Sequence, residues 1–304
     1  MEQYLINSFD GTPLNVKVWN NVQLPKGLVQ IAHGSYEHSG RYTELAELLE
    51  ANGYIVFCND LRALGETELK NNLGYHDGNI FRDSFQDLIF LNNYFKEIYR
   101  IPSLLIGTGY GSFLAQALLT KGIEYNGIIL SGTALIDIPT SLFASAVTKL
   151  LPKRKKANIV AKSHKNALNS AFPSEKGDCL WATKDEKKRI EYLNDPLCNA
   201  TLCGNFYYSF SKGVAEYSLN SDDNNRRLDT PIAIFSGRHD PVGGKKSSKA
   251  IKLYKFLRKK GYKCVRLFIY ENARHYIISE VDREVYMNHY LTFINRCFGL
   301  SEHA

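Results

Sequence analysis

The chain reads Leu-Leu-Ile-Gly-Thr-Gly-Tyr-Gly at residues 104–111. Three apolar residues suited to a buried strand come first, and three glycines at alternate positions follow them. Residues 112–119 then continue with the spacing of a helix. A sharp turn from a strand directly into a helix presents one residue at the carboxyl edge of an α/β sheet. Gly109, at the tip of this turn, is therefore the first candidate functional position.

Short apolar runs alternate with amphipathic runs on both sides of this turn. An Asp-Gly pair at residues 10–11 lies between two alternating runs and predicts an N-terminal hairpin. Further strands are predicted over 28–32, 54–58, 104–106, 127–130, 231–235 and 263–269, and helices over 42–52, 81–99, 110–121, 247–260 and 281–296. This alternation predicts an α/β protein with a mostly parallel, twisted sheet and helices on both faces.

Residues 133–228 interrupt the alternation. This segment is helical, basic and aromatic in patches, and it shows no clear parallel strand. Because it separates two strands at the ligand-facing ends of the sheet, we expect a helical cap over 133–228 on a core of 1–132 and 229–304. Its basic run, Lys153-Arg154-Lys155-Lys156, is expected on a solvated helix face. The alternative is transient contact of this basic cap with an anionic membrane surface.

Composition and charge narrow the functional classes. The 304 residues are 44% hydrophobic and 23% charged, and the formal net charge is +7. This mild charge predicts a solvated surface, and the absence of a recognition module argues against nucleic-acid binding. The sequence shows no apolar run of about 18 residues and no signal-peptide pattern, so we expect a cytoplasmic protein. Six dispersed cysteines without a Cys-x-x-Cys pair fit free thiols in a reducing compartment.

Several polar or conformationally special residues follow predicted strands and should meet at one rim of the sheet. They are His33 and Gly34, Gly109, Asp240 and His275. A hydroxyl becomes a good nucleophile when a histidine takes its proton, and a buried carboxylate orients that histidine. Gly109, Asp240 and His275 follow the chain order of nucleophile, acid and base in the α/β-hydrolase triad.

The resemblance becomes specific in the loops. Three motifs resemble those of monoacylglycerol lipases and bacterial lysophospholipases, α/β-hydrolases of the serine aminopeptidase (S33) type. They are His-Gly-Ser-Tyr-Glu-His-Ser-Gly-Arg-Tyr at 33–42, Phe-Ser-Gly-Arg-His-Asp-Pro-Val at 235–242 and Ala-Arg-His at 273–275. Asn-Asp-Pro-Leu-Cys at 194–198 resembles a cap motif of the same proteins. The resemblance extends over about residues 8–297.

The resemblance implies an α/β-hydrolase fold and a role for each loop. His275 would be the base and Asp240 its orienting acid, while the backbone N–H groups of Ser35 and Tyr110 would form the oxyanion hole. His33 and Gly34 would lie in the substrate pocket. No metal and no organic cofactor is implied. The expected ligand is a small acyl ester or a lysolipid.

The chain departs from the family pattern at Gly109, where Gly-x-Ser-x-Gly would carry the nucleophilic serine. Thr108 stands where histidine is frequent, and Ala63 and Leu64 differ from the Asp-x-Arg-Gly-His-Gly motif. Two main hypotheses follow: a carboxylic-ester hydrolase scaffold without its nucleophile, by engineering or by natural loss, or a non-catalytic protein that binds an acyl ligand. Weak hydrolysis by water that His275 activates is a third. A dinucleotide loop is disfavoured because the other strands carry triad partners.

Overall fold

The computed structural model describes residues 1–67, 73–217 and 226–300. Within these ranges the strands are β1 (Glu2–Asn7), β2 (Pro13–Trp19), β3 (Gly27–Ala32), β4 (Tyr54–Asn59), β5 (Ser103–Thr108), β6 (Ile128–Ser131), β7 (Ile232–Gly237) and β8 (Val265–Tyr270). The helices are α1 (Thr43–Ala51), α2 (Ile80–Tyr99), α3 (Tyr110–Thr120), α4 (Ile138–Thr148), α5 (Asn158–Asn169), α6 (Glu186–Asn194), α7 (Gly204–Glu216), α8 (Ser248–Lys259) and α9 (Arg283–Cys297).

All of these strands belong to one sheet, in the order β1-β2-β4-β3-β5-β6-β7-β8. The strands β1 and β2 form the predicted antiparallel hairpin, and β2 also pairs antiparallel with β4. Every other pair is parallel. The central strands are buried along their whole length, which explains why they read as continuous apolar runs. The predicted mostly parallel sheet is confirmed.

Helices cover both faces of the sheet. On one face, α1 and α9 pack apolar residues such as Leu49 and Phe293 against Val29 and Ile31. On the other face, α2, α3 and α8 contribute to the larger core cluster. The sequence of α2 shows how such a helix is defined, because the Asn79 side chain caps its first turn and the chain leaves the helix at Arg100 with φ 55°. This arrangement brings the carboxyl ends of β3, β5, β7 and β8 to one edge.

The segment between β6 and β7 contains α4 to α7. The basic run within it does not lie on a helix, contrary to the prediction, because residues 153–156 form a turn between α4 and α5 that ends in an antiparallel bridge of Lys156 with Cys203. Pro152 precedes the turn, and Arg154 forms an ion pair of 2.8 Å with Asp77. Buried residues of the segment join the same apolar cluster as α3. The division into core and cap stays a prediction.

None of the helices in the described ranges is long and apolar enough to cross a lipid bilayer.

Candidate active site

The glycine turn between β5 and α3 is tightly packed. Gly109 precedes the helix with φ 51° and ψ −117°, a conformation that side chains rarely adopt, and its N–H donates to the Ser131 carbonyl at 3.0 Å. The outer glycines are required by close approach, since a Cβ at Gly111 would lie 2.0 Å from the Ala32 carbonyl oxygen. A Cβ at Gly107 would lie 2.5 Å from the Gly111 oxygen. The alternating glycines therefore let α3 pack directly on β3 and β5.

His275 faces this turn. Its Nε2 lies 3.2 Å from the position that a Cβ at Gly109 would occupy, and its Nδ1 lies 3.1 Å from Asp240 Oδ1. Asp240 is positioned by the Val242 N–H, which donates to the same carboxylate oxygen at 2.8 Å. Both side chains are buried. The structure thus brings the three predicted positions together, with the imidazole between the carboxylate and the side-chain-free carbon of Gly109.

The electrostatics of the His275 site favour a charged imidazole. Burial lowers the pKa of His275, but the charge and hydrogen bond of Asp240 and the charge of Glu37 outweigh it, so the pKa is raised above the usual value. His164, from α5, also interacts with this ring. Burial and then the charge of His275 lower the pKa of His164. His275 therefore holds a proton to higher pH than a free histidine.

The loop after β3 lies against the same space. The Gly34 Cα is 3.5 Å from the Cβ position at Gly109, and the Gly34 N–H donates to Glu37 Oε1 at 2.7 Å. The backbone N–H groups of Ser35 and Tyr110 have no hydrogen-bond acceptor among the described residues. These are the two donors that the family resemblance implies for an oxyanion hole.

His33 has a structural role in the loop after β3. It is fully buried, its Nδ1 lies 2.8 Å from the Gly34 carbonyl oxygen, and its Nε2 accepts the Leu61 N–H at 3.0 Å. Both ring nitrogens are therefore occupied by the backbone, and His33 has no polar atom left for a ligand. It holds the loop that carries Gly34 and Ser35.

The nearby serine hydroxyls make other contacts. The Ser112 hydroxyl donates to the Gly109 carbonyl at 2.6 Å, and it also bonds to Thr133. The Ser131 hydroxyl accepts from Tyr290 at 2.7 Å. Neither takes the position in front of His275 that a side chain at Gly109 would have.

The sequence did not predict how closely the inserted segment contacts His275. A strap formed by residues 179–184 pairs with the histidine loop, residues 271–280. The His275 N–H donates to the Trp181 carbonyl at 3.2 Å and the Tyr276 N–H to Ala182 at 2.8 Å. The Trp181 ring lies 5.3 Å from that of His275. Backbone pairing of this kind leaves no side-chain pattern in the sequence.

Two further neighbours of the site could have been suspected. Gly132 has φ 55°, and a Cβ there would lie 2.8 Å from His275 Cε1, so a side chain would displace the imidazole. The Ser-Gly pair that ends β6 was its only sequence signal. Phe206 and Phe210 of α7 pack against Tyr110 at ring distances of 5.0 and 5.8 Å. The aromatic run at residues 206–208 was the signal for that contact.

In the described ranges, one group of side chains has a spacing that could hold a metal ion: His38, Asp195 and Cys198, whose candidate ligand atoms lie within 4.8 Å of one another. His38 Nε2 is 2.8 Å from Asp195, and its Nδ1 accepts the Gly40 N–H at 3.2 Å. Since both ring nitrogens are engaged, the group is a hydrogen-bonded link between the loop after β3 and the inserted segment.

Comparison with known proteins identifies the family. The sequence profile described as serine aminopeptidase, S33, matches residues 23–282. The chain belongs to the serine aminopeptidase S33 family. This S33 chain is 25% identical over 280 residues to the monoglyceride lipase homolog of Monkeypox virus. The match covers 90% of this chain and 91% of that relative. The chain is 28% identical over 286 residues to the human monoglyceride lipase, covering 91% of this chain and 84% of the relative.

Solved structures confirm the fold of this S33 family member. The carboxyl esterase from Bacillus coagulans, solved in complex with glycerol, superposes with a TM-score of 0.87 over 98% of both chains. Its sequence identity is 22%, so this similarity concerns the fold. The predicted α/β-hydrolase fold is therefore confirmed.

Proposed function

We propose that the chain is a carboxylic-ester hydrolase scaffold of lysophospholipase or monoacylglycerol lipase type in which Gly109 holds the nucleophile position. The observation that carries this proposal is the distance of 3.2 Å from His275 Nε2 to the Cβ position at Gly109. A serine there would place its hydroxyl beside a base that Asp240 orients. The N–H groups of Ser35 and Tyr110 would stabilise the oxyanion. Relatives named monoglyceride lipases support a small acyl ester or lysolipid as the ligand.

The chain lacks a serine hydroxyl at position 109 that would form an acyl-enzyme. Its remaining machinery could act only through water that His275 activates. In triad enzymes, the oxyanion hole and substrate binding alone retain about 10³–10⁴-fold acceleration over the uncatalysed reaction. We therefore expect the unaltered chain to be nearly inactive toward esters.

The test is Gly109→Ser, assayed with short-chain p-nitrophenyl esters, a monoacylglycerol and a lysophospholipid. Gly109→Ala is the matched control, because it adds the same Cβ and the same backbone strain without a hydroxyl. We expect turnover in the serine variant alone, and its loss when His275→Gln is added. A folded serine variant that cleaves none of these esters would contradict the hydrolase scaffold.

The second candidate function is a non-catalytic protein that binds an acyl ligand. Ala63 favours it, because this alanine adopts φ 70° at a position where the family pattern has glycine. A single engineered substitution at Gly109 would not account for such a divergence. This function is supported if the unaltered chain binds an acyl ligand while Gly109→Ser stays inert, and it fails if no acyl ligand binds.

We also propose that the inserted segment contacts a lipid surface transiently. The supporting observation is a group of exposed apolar side chains in and beside α4 and at the start of α5: Leu142, Phe143, Val147, Leu150 and Ile159. Lys153 and Lys155 lie in the neighbouring turn. Vesicle sedimentation tests the idea: binding to anionic vesicles should fall in the double variant Phe143→Ser, Leu150→Ser. Equal binding of the variant and the unaltered chain would refute it.

A further inference from the structure

Three unused nitrogen atoms surround the space above Gly109. The N–H groups of Ser35 and Tyr110 have no acceptor in the described parts of the chain, and His275 Nε2 has no hydrogen-bond partner there. His275 is 5% exposed, and Nε2 points at the position where Gly109 has no side chain. Because the three groups converge on one space, a single ligand with suitable acceptor atoms could bind to all of them.

We propose that this space binds the ionised carboxylate of a free fatty acid. The inference rests on the proposed function, because it uses the same site and narrows the class of acyl ligand. A carboxylate has two equivalent acceptor oxygens. One oxygen can accept from Ser35 and Tyr110, and the other from a protonated His275. An ester offers one strong acceptor oxygen and no charge, so it would leave His275 unpaired.

The charges around the site suit an anion. Asp240 faces His275 from the loop after β7, and Glu37 from the loop after β3, and both favour the imidazolium. His164 of α5 also interacts with His275, and the charge of His275 lowers the pKa of His164. Glu37 itself is compensated, since it accepts from Gly34 and Tyr42 and lies 3.6 Å from Arg41 Nε. The amino end of α3 adds a positive dipole beside Tyr110.

Glycine at position 109 creates the room that the second oxygen needs. A charge-assisted hydrogen bond would place this oxygen about 2.7–2.9 Å from Nε2. A Cβ at Gly109 would lie 3.2 Å from the same nitrogen and would compete for that space. The substitution that removes the nucleophile thus also opens the site to an anion.

An apolar wall adjoins this site and can pack against the hydrocarbon chain of the ligand. Tyr110 and Phe113 of α3 contact Phe206 and Phe210 of α7, and Phe81 of α2 lies beyond them. The ring of Tyr110 belongs to this group, and the proposal is that the alkyl chain of the ligand packs where the group borders the space above Gly109. Aromatic and aliphatic contacts would supply affinity, and the three nitrogens would supply selectivity for the acid.

Calorimetric titration of the unaltered chain with decanoate, decanol and 1-decanoylglycerol tests the proposal. At about pH 6 we expect decanoate to bind at least about tenfold more tightly than decanol. At pH values above the pKa of His275, binding should take up as much as one proton from the buffer, measured as the dependence of the heat on buffer ionisation enthalpy. At higher pH the affinity for decanoate should fall by about tenfold per pH unit, while that for decanol should not change.

Single substitutions test whether His275 causes the preference for decanoate and the proton uptake. In His275→Gln the preference for decanoate and the proton uptake should disappear. His289→Gln, which removes a histidine of α9 that lies beside Tyr270, should keep both. Gly109→Ser should bind decanoate more weakly than the unaltered chain. Thermal melts by circular dichroism establish that each variant is folded.

A measurement on the unaltered chain covers the case in which a variant does not fold. The carboxyl carbon of bound 1-¹³C-decanoate should give a resonance with the chemical shift of an ionised carboxylate. This chemical shift should change as His275 titrates. Equal affinities for decanoate and decanol at all pH values, or no binding of decanoate, would overturn the proposal. Ester hydrolysis by Gly109→Ser without decanoate binding by the unaltered chain would overturn this inference alone. Decanoate binding with an inert, folded serine variant would overturn the hydrolase scaffold alone.

Discussion

At the scale of single residues, two glycines with positive φ define the space around His275. Gly109 leaves the imidazole facing an unoccupied position, and Gly132 lets the other edge of the ring pack against the end of β6. Glycine adopts these conformations freely, whereas another residue there costs about 1–3 kcal/mol. The position of the imidazole therefore depends on the absence of side chains at Gly109 and Gly132 as well as on its bond to Asp240.

We predict that Gly132→Ala lowers the free energy of unfolding by more than the strain cost alone. The added Cβ would lie 2.8 Å from His275 Cε1, so the ring must move as well. Gly11→Ala is the matched control, because Gly11 has φ 82° and no atom lies within 4 Å of its Cβ position. Urea unfolding should show about 1–3 kcal/mol lost in the control and more in Gly132→Ala. Equal losses would mean that the ring is not confined there.

The positions of Gly109, Asp240 and His275 were predictable because each follows a recognisable strand. The parallel topology then brings strand ends together without any detail of packing. Trp181 was not predictable as a neighbour of His275, because its contact depends on the path of the backbone beyond the strands. His33 was predicted in the pocket from its motif, but its ring nitrogens bond to the backbone of its own and the neighbouring loop.

At the scale of elements, the strap ties the inserted segment to the histidine loop. Arg274 connects the two: its guanidinium donates to the Leu180 carbonyl at 2.6 Å, pairs with Glu175 and lies 4.1 Å from the centre of the Phe172 ring. The Arg274 side chain is almost fully buried, whereas that of Glu175 is 43% exposed. The contribution of the ion pair is therefore screened by water, and that of the buried guanidinium contacts is not.

We predict that Arg274 and Glu175 contribute differently to the free energy of unfolding. Glu175→Gln should lower the free energy of unfolding by about 0–1 kcal/mol, as an exposed partner does. Arg274→Met should cost about 1–3 kcal/mol, because it leaves the Leu180 carbonyl without its donor and removes the cation over Phe172. Hydrogen exchange should then increase at residues 179–184 and 274–280. Unchanged exchange in the folded Arg274→Met variant would show that the strap does not need this side chain.

Most strands and helices could be predicted from their hydrophobic patterns, because the central strands are continuous apolar runs and the helices repeat their buried faces along the chain. The helix expected at residues 153–156 was wrong because the charge pattern alone does not reveal the bridge of Lys156 with Cys203. The strap was missed for a related reason. It is held to the histidine loop mainly by backbone hydrogen bonds, which any side chains would permit.

At the scale of the whole molecule, buried charges link stability to pH. Asp60 lies beneath the loop after β3 and accepts from the N–H groups of Ser39 and Glu66 at 2.7 and 2.8 Å. Burial raises the pKa of Asp60, but the interaction with His33, the positive charge of Lys17 and these hydrogen bonds together outweigh it, so the net shift is downward. Its contribution to stability is therefore present above the usual carboxyl pKa and is lost as the pH falls through the lowered value.

We predict that Asp60→Asn destabilises the protein by about 1–3 kcal/mol at neutral pH. An amide has only one acceptor oxygen, so the N–H of Ser39 or of Glu66 loses its partner. The difference from the unaltered chain should narrow below about pH 4, where Asp60 itself begins to take up a proton in the unfolded state. Urea unfolding at neutral and acidic pH measures both values. A difference that stays constant with pH would show that the charge of Asp60 does not matter.

The pairing of strap and histidine loop also constrains how such proteins diversify. A chimaera that received the segment between β6 and β7 from another family member would exchange the carbonyl groups that hold the backbone of His275 and Tyr276. The strap and the position of the His275 imidazole would therefore be inherited as one unit. A change of ligand preference that is acquired through this segment would therefore also change the orientation of the His275 imidazole.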